Sequence, residues 1–303
     1  MIITFQAIYV DMKRVTFEPP GYVADMKLSP RYTGTSIIEI EGKFDDCAEA
    51  VSRQRRRFEA MLSDFTPLQW AAPSRCDGWS MHDVVAHLVG VNSFWAMSVG
   101  AGVLGAPTQL LDNFDPAATP PLMVEPMRSL PTQELLAQFV ATNAQFLDAL
   151  ASLTETEWAA IAEAPPGHVS IRLLAHHALW DSWIHERDVA LPLGIDPEVR
   201  PDEIATCLRY AAAISPALAL GNSFVKPGTF TLRAHSPEVT FTLDVGNAVM
   251  ITNGASDSST VALEGHAIEL IEALSLRVPL PSSAPDDWRE LLGGLAIAFD
   301  SLR

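Results

Sequence analysis

The chain has 303 residues, 48% of them hydrophobic and 19% charged, and a formal net charge of −17. That length allows two domains, each with a sizeable core, and excludes large-scale disorder. The acidic balance excludes electrostatic binding to nucleic acid or to an anionic membrane, since both need clustered cations.

The opening MIITFQAIYVDMKR has no basic residue ahead of its apolar stretch and no small-residue cleavage site, so it does not read as a signal peptide. Residues 1–40, with Pro19, Pro20 and Gly21, are weakly patterned and read as an N-terminal extension. A helix fits Phe44 to Asp64, where Cys47, Ala48, Val51, Phe58, Met61 and Leu62 recur at helical spacing. Its cluster Arg53, Arg55, Arg56 and Arg57 reads as a solvated face rather than a carboxylate-binding patch. Ser80 followed by Asp83 forms a capping box that opens a second helix to about Val99. The longest apolar region, Val84 to Gly105, is interrupted by His87, Asn92 and Ser93 and reads as a buried helix plus a loop, not a membrane span. Residues 100–130, rich in Gly and Pro, form a long connection of the kind that is more often functional or mobile than merely connective.

A third helix starts near Thr132, with Leu135, Leu136, Phe139, Val140, Phe146, Leu147 and Leu150 on its apolar stripe. A fourth runs from about Ser170 to Ala190 and stops at Leu191, Pro192 and Gly194. An antiparallel four-helix bundle over residues 41–197 is the simplest way to bury four such stripes. An internal repeat supports it: the segment from Leu62 lines up with that from Leu150, matching Trp70 to Trp158, Gly78 to Gly167 and, after a one-residue shift, His87 to His176. Thr66 with Gln69, and Thr154 with Glu157, each suit the start of a short helix. Beyond residue 197 a helix from about Asp202 to Leu220 leads into TFTLRA, VTFTLDV, AVMITNG and STVALEG, read as short strands, the first three antiparallel. Helices from about His266 to Leu276 and from Asp286 to Leu302 close an α+β domain over residues 198–303, so the fold class is α+β.

Asp181 and His185 stand one turn apart and share a helix face, and His87 sits on another helix. Two ligands from one helix and a third from a second make a metal site in a bundle, with an open position suited to catalysis. His177 is a rival, because His177, Asp181 and His185 form a ladder at four-residue spacing. The C-terminal rungs are preferred because Asp188, beyond His185, can orient its ring. The other reading of Asp188 and Glu186 is a surface charge or a salt bridge with Arg187, while His82 and His176 read as structural. Cysteines Cys47, Cys76 and Cys207 form no CxxC pair, which argues against a disulfide framework or a zinc ribbon and suits a reducing cytoplasm. Cys76 has no base placed by spacing. Trp79, Trp180 and Trp183 read as core or pocket wall, and Arg277 either reaches across to a substrate carboxylate or lies on the surface.

SRCDGWSMHDVVAHLVG, WDSWIHERDVALPLG and STVALEGHAIELIEALSLR together resemble the mycothiol-dependent maleylpyruvate isomerase family, from about residue 44 to the end. The resemblance implies a DinB-like metal-binding bundle followed by a sterol-carrier-like domain, with metal ligands at His87, Asp181 and His185. The better known isomerases have glutamate where this chain has Asp181. It also implies a divalent ion, with zinc suited to this donor set and nickel, manganese or iron also able to fit, and mycothiol or a similar thiol as cofactor. The implied chemistry is isomerisation or S-transfer on a small electrophilic molecule. Metal-assisted hydrolysis, or a non-catalytic module that binds metal or a small ligand, are the alternatives.

Overall fold

In a computed structural model of the protein, the described residues are 29–41, 47–112, 114–115, 118–221, 227–256, 261–292 and 295. The expected helix start at Phe44, residues 1–28 of the extension and most of the final helix beyond Leu291 lie outside them.

The chain begins with strand β1 (Ile38–Glu41), followed by α1 (Ala48–Ser63), the one-turn α2 (Pro67–Trp70) and α3 (Met81–Val103). A short helix α4 (Thr119–Val124) precedes α5 (Thr132–Ala151) and the one-turn α6 (Glu155–Trp158). Strands β2 (Ile161–Ala164) and β3 (Gly167–Ser170) form a hairpin that enters α7 (Ile171–Ala190). The expected starts near Thr132 and Ser170, and the ends at Ala190, match the helices found. All three capping boxes are present with both reciprocal bonds, at Thr66 and Gln69, Ser80 and Asp83, and Thr154 and Glu157.

Helices α1, α3, α5 and α7 make the bundle. The N-terminal halves of α3 and α5 share one hydrophobic cluster, with Val84, Leu88, Leu135 and Phe139, while Val99, Phe146 and Leu150 belong to the other. These two helices therefore run the same way. Phe58 meets Phe139 and Arg55 meets Phe146, so α1 opposes α5, and ring pairs His87 with His185 and Trp95 with His177 show that α7 opposes α3. Because α3 and α5 are parallel neighbours, the chain between them must travel back along the bundle. This is the physical reason for the long connection after residue 103.

The repeat also has a structural form. Each copy is a capped turn of helix ending in a buried tryptophan, Trp70 or Trp158, then a reversal through a positive-φ glycine, Gly78 or Gly167, then a serine N-cap, Ser80 or Ser170. Measured from those caps, His87 corresponds to His177 and not to His176.

The C-terminal part adds α8 (Pro201–Gly221), β4 (Gly228–His235), β5 (Val239–Val245), β6 (Val249–Asn253), β7 (Val261–His266), α9 (Ala267–Leu274) and α10 (Asp286–Leu291). The sheet order is β1-β6-β5-β4-β7. The central pairs β4 with β5 and β5 with β6 are antiparallel, but both outer strands, β1 and β7, join in parallel. The run Ile38–Glu41, read as part of an extension, is thus an edge strand of the C-terminal sheet, with buried Ile38 opposite Val249. Helix α8 lies between the sheet and α7, and buries Cys207, Tyr210 and Ile214. Helices α3 and α8 are long and apolar enough to cross a membrane by length and composition, yet most of each is buried within this fold, as core helices are.

The arginine cluster of α1 departs from expectation. Only Arg56 is exposed. Arg55 is fully buried and donates to Asn92 Oδ1 (2.5 Å), Asn143 Oδ1 (2.8 Å) and the Ala178 carbonyl (3.2 Å). Arg57 binds Glu186 (2.8 Å) and Glu203 (3.0 Å), and Arg53 binds Glu203 and Asp202. The cluster is an internal carboxylate-binding face that ties α1 to α7 and α8, because the carboxylates arrive from helices more than a hundred residues away. Glu186 is correspondingly buried, not a surface charge, and Arg187 instead pairs with Glu272 of α9 (2.6 Å).

Candidate metal centre

The antiparallel packing of α3 on α7 decides which of their side chains meet. His87 lies near the start of α3, and Asp181 and His185 lie in the second half of α7, so opposite ends of the two helices bring them level. One donor atom from each of the three lies within 4.8 Å of the others. His185 Nε2 is 3.7 Å from Asp181 Oδ1, and the His87 and His185 ring centroids are 5.2 Å apart. Trp79 stacks obliquely on His87 at 5.4 Å and forms a wall.

The donor set suits a divalent cation. His87 Nδ1 and Asp181 Oδ2 are buried without a hydrogen-bond partner, a costly state that a bound cation can relieve for a carboxylate or imidazole lone pair. A tetrahedral ion with bonds of about 2.0–2.1 Å places its ligand atoms about 3.4 Å apart, so small side-chain adjustments bring these three onto one ion.

The far nitrogen of His185 has its own anchor. Nδ1 donates to Asp188 Oδ2 at 3.1 Å, which leaves Nε2 facing Asp181. Asp188 has no exposed side-chain surface and receives Arg277 from beyond α9 at 2.7 Å and 2.9 Å, with Arg75 Nε at 3.5 Å. Arg75 also pairs with Glu272. Arg277 therefore does reach across to a carboxylate, but that carboxylate belongs to the bundle. Its position comes from a Schellman turn: Arg277 N donates to Glu272 O and Leu276 N to Ala273 O, with Leu276 in the left-handed region at φ 59°. Glycine usually fills that place, so a leucine there carries strain.

These neighbours set the charges. Burial works against a charged His185, but hydrogen bonds to Asp188 and Cys76 and the Asp181 charge outweigh it and push its pKa up to about 10. Burial, reinforced by the His185 charge, pushes His87 down to about 4. Burial raises Asp181 and Asp188, yet nearby positive charge holds both below the usual carboxylate range: His185 and Arg55 for Asp181, and His185 and Arg277 for Asp188.

His177, the rival rung, is engaged elsewhere. Its Nδ1 is 2.8 Å from the Tyr210 hydroxyl, and its ring is enclosed by Trp95, Trp180 and Tyr210. Trp180 donates to Ser275 Oγ and Trp183 lies under Arg187, so both are wall and interface. Cys76 is the residue that sequence spacing missed. Its Sγ is 3.3 Å from Asp188 Oδ2, 3.8 Å from His185 Nδ1 and 4.0 Å from Arg277 Nη2. The three partners come from two segments distant in sequence, so no local pattern could signal it.

A bundle that presents two histidines and a carboxylate at one end, closed by a sheet-bearing region, defines a class of candidate metalloprotein. Residues 51–190 match the family model described as the mycothiol maleylpyruvate isomerase N-terminal domain. Two crystal structures of the mycothiol-dependent maleylpyruvate isomerase, one of them a histidine-to-alanine mutant, have similar folds. The mutant aligns with a TM-score of 0.55 at 14% identity and the other with 0.52 at 16%, each covering 77% of this chain and 94% of its own. No curated protein matches the sequence.

Proposed function

We propose that the protein is an enzyme that holds one divalent cation, zinc by its donor set, on His87, Asp181 and His185. With it the enzyme uses a low-molecular-weight thiol of the mycothiol type to isomerise, or transfer sulfur to, a small electrophilic molecule in the cytoplasm. The observation that carries this reading is the convergence of those three side chains with His87 Nδ1 and Asp181 Oδ2 buried and unpartnered. The domain match over residues 51–190 supports the thiol. When bound, such a cation supplies Lewis-acid chemistry and lowers the pKa of a thiol or water at its open position.

The chain's own residues prepare that site. Asp188 fixes the imidazole of His185 so that Nε2 faces the site. His87 is neutral at physiological pH and offers a free lone pair, and Asp181 stays ionised. Trp79 limits water on one side, and Arg277 and Arg75 place positive charge at the seam with the C-terminal region. Metal analysis followed by titration of the cobalt-substituted protein with mycothiol tests the proposal. About one ion per chain and a sulfur-to-cobalt charge-transfer band are expected. Metal without that band moves a hydrolase or a ligand-binding module ahead, and protein that takes up no metal overturns the reading.

A further inference from the structure

Arg55 of α1 is buried among all four long helices of the bundle, and each of the other three gives it one acceptor: Asn92 of α3, Asn143 of α5 and the Ala178 carbonyl of α7. All three acceptors are neutral. Ala178 lies less than a turn before Asp181 on α7, and Asn92 little more than a turn after His87 on the antiparallel α3, so the guanidinium forms a floor under the candidate centre. The carboxylates whose charge reaches it are Asp181 and Glu59, and Glu59 stands behind Asn143, whose amide donates to it at 2.7 Å. Neither is hydrogen-bonded to Arg55. Arg55 Nε and Asp181 Oδ2 are both buried without a hydrogen-bond partner, so the two groups do not satisfy each other. The neutral acceptors thus fix a guanidinium near Asp181 while leaving that carboxylate's oxygen for a cation. Burial lowers the pKa of Arg55 to about 10, which still leaves it charged at neutral pH.

We propose that Arg55 is a specificity-determining residue of the candidate centre, a fixed and unpaired positive charge that weights the open position of a bound dication toward anionic ligands over neutral ones. The inference rests on the metal reading given above. A dication held by two neutral imidazoles and one carboxylate keeps one net positive charge, and Arg55 adds a second where no water screens it. An anion that enters the open position is attracted by both. A neutral ligand gains from neither. The same charge opposes the dication itself, so Arg55 does not serve to retain the metal, and the two effects of removing it have opposite signs.

The test uses the full-length protein loaded with Co²⁺, titrated at one pH with azide as the anionic probe and imidazole as the neutral one, both read from the visible cobalt bands. Arg55→Met should bind azide about tenfold more weakly than the native protein, for a unit charge about 10 Å away at an effective dielectric of about 20. It should bind imidazole equally well and hold Co²⁺ against a chelator at least as tightly. Arg55→Lys keeps the charge and should keep the azide affinity. Because Arg55→Met removes a buried donor and costs stability, Asn92→Asp carries the same test: it sets a carboxylate against the guanidinium in place and should reproduce the loss of azide binding. Protein that takes up no cobalt overturns the metal reading and this inference with it. Cobalt-loaded variants with unchanged azide affinity overturn the inference alone. So does a parallel loss of azide, imidazole and cobalt binding, the signature of a purely structural arginine.

Discussion

Of the three side chains that converge at the candidate centre, only His185 holds a proton at neutral pH, and this fixes how cation binding should respond to pH. His87, at about 4, is already neutral, and Asp181 is ionised. His185, raised to about 10, must give up one proton before Nε2 can serve as a ligand. Displacing that proton costs about 1.4 kcal/mol for each pH unit below the pKa. The apparent affinity for Zn²⁺ should therefore rise tenfold per pH unit. From about pH 6 to about pH 8 that is a hundredfold, or about 2.7 kcal/mol. The metal-free fold should trend the opposite way. A raised histidine pKa contributes stability that is full below the unfolded value of about 6.5 and is lost as pH climbs toward the folded one. Alkali should thus weaken the metal-free protein while strengthening its hold on the cation. Competition with a chromophoric chelator at several pH values, alongside thermal unfolding of the metal-free protein, measures both. A slope of zero would show His185 to be neutral, and a slope of two would show a second protonated ligand. Either result refutes the reasoning.

Asp188→Asn replaces the carboxylate that raises His185 with a neutral amide, so the same titration should flatten near neutral pH, a change the chelator assay reads directly. His87→Ala and His185→Ala should each lose the bound ion by elemental analysis, whereas His177→Ala should keep it, because His177 is committed to Tyr210. Arg55→Met should destabilise the protein by about 2–4 kcal/mol in urea, since it leaves Asn92, Asn143 and the Ala178 carbonyl short of a buried donor. Leu276→Gly should stabilise by about 1 kcal/mol in the same assay by relieving the left-handed turn, and a loss of stability there would show that the leucine side chain contributes more than its backbone costs.

Local signals in this chain were readable where the physics is local. The serine and threonine caps fixed helix starts to within a residue, and periodicity placed four long helices. The run IEIE was too short for its alternation to speak, and its partner, β6, lies about two hundred residues away. The β2–β3 hairpin was hidden for a similar reason: its strands have only four residues each, on either side of Pro165 and Pro166. The arginines of α1 carried the right charge, but their partners Glu186 and Glu203 are brought to them only by packing of α7 and α8. His87, Asp181 and His185 were nameable because two of them share a helix face and the third sits on a recognisable helix. Cys76 and Arg277 had no such guide.

The C-terminal region reaches the candidate centre through Arg277, which meets the Asp188 carboxylate with Cys76 beside it, and both of these meet His185. Asp188 has two oxygens and about four lone-pair sites. Arg277 engages both oxygens, Arg75 lies near Oδ1, and His185 and Cys76 share Oδ2. A carboxylate gripped from two sides by guanidiniums cannot rotate freely, and an imidazole bonded to it cannot either. The direction of His185 Nε2 is therefore set partly by where α9 ends, through the turn at Leu276 that delivers Arg277. That turn stores strain in the segment that positions the clamp, and the clamp is where the only partly exposed cysteine lies. Displacement of Arg277 would therefore loosen the Asp188 carboxylate and with it the orientation of one histidine ring.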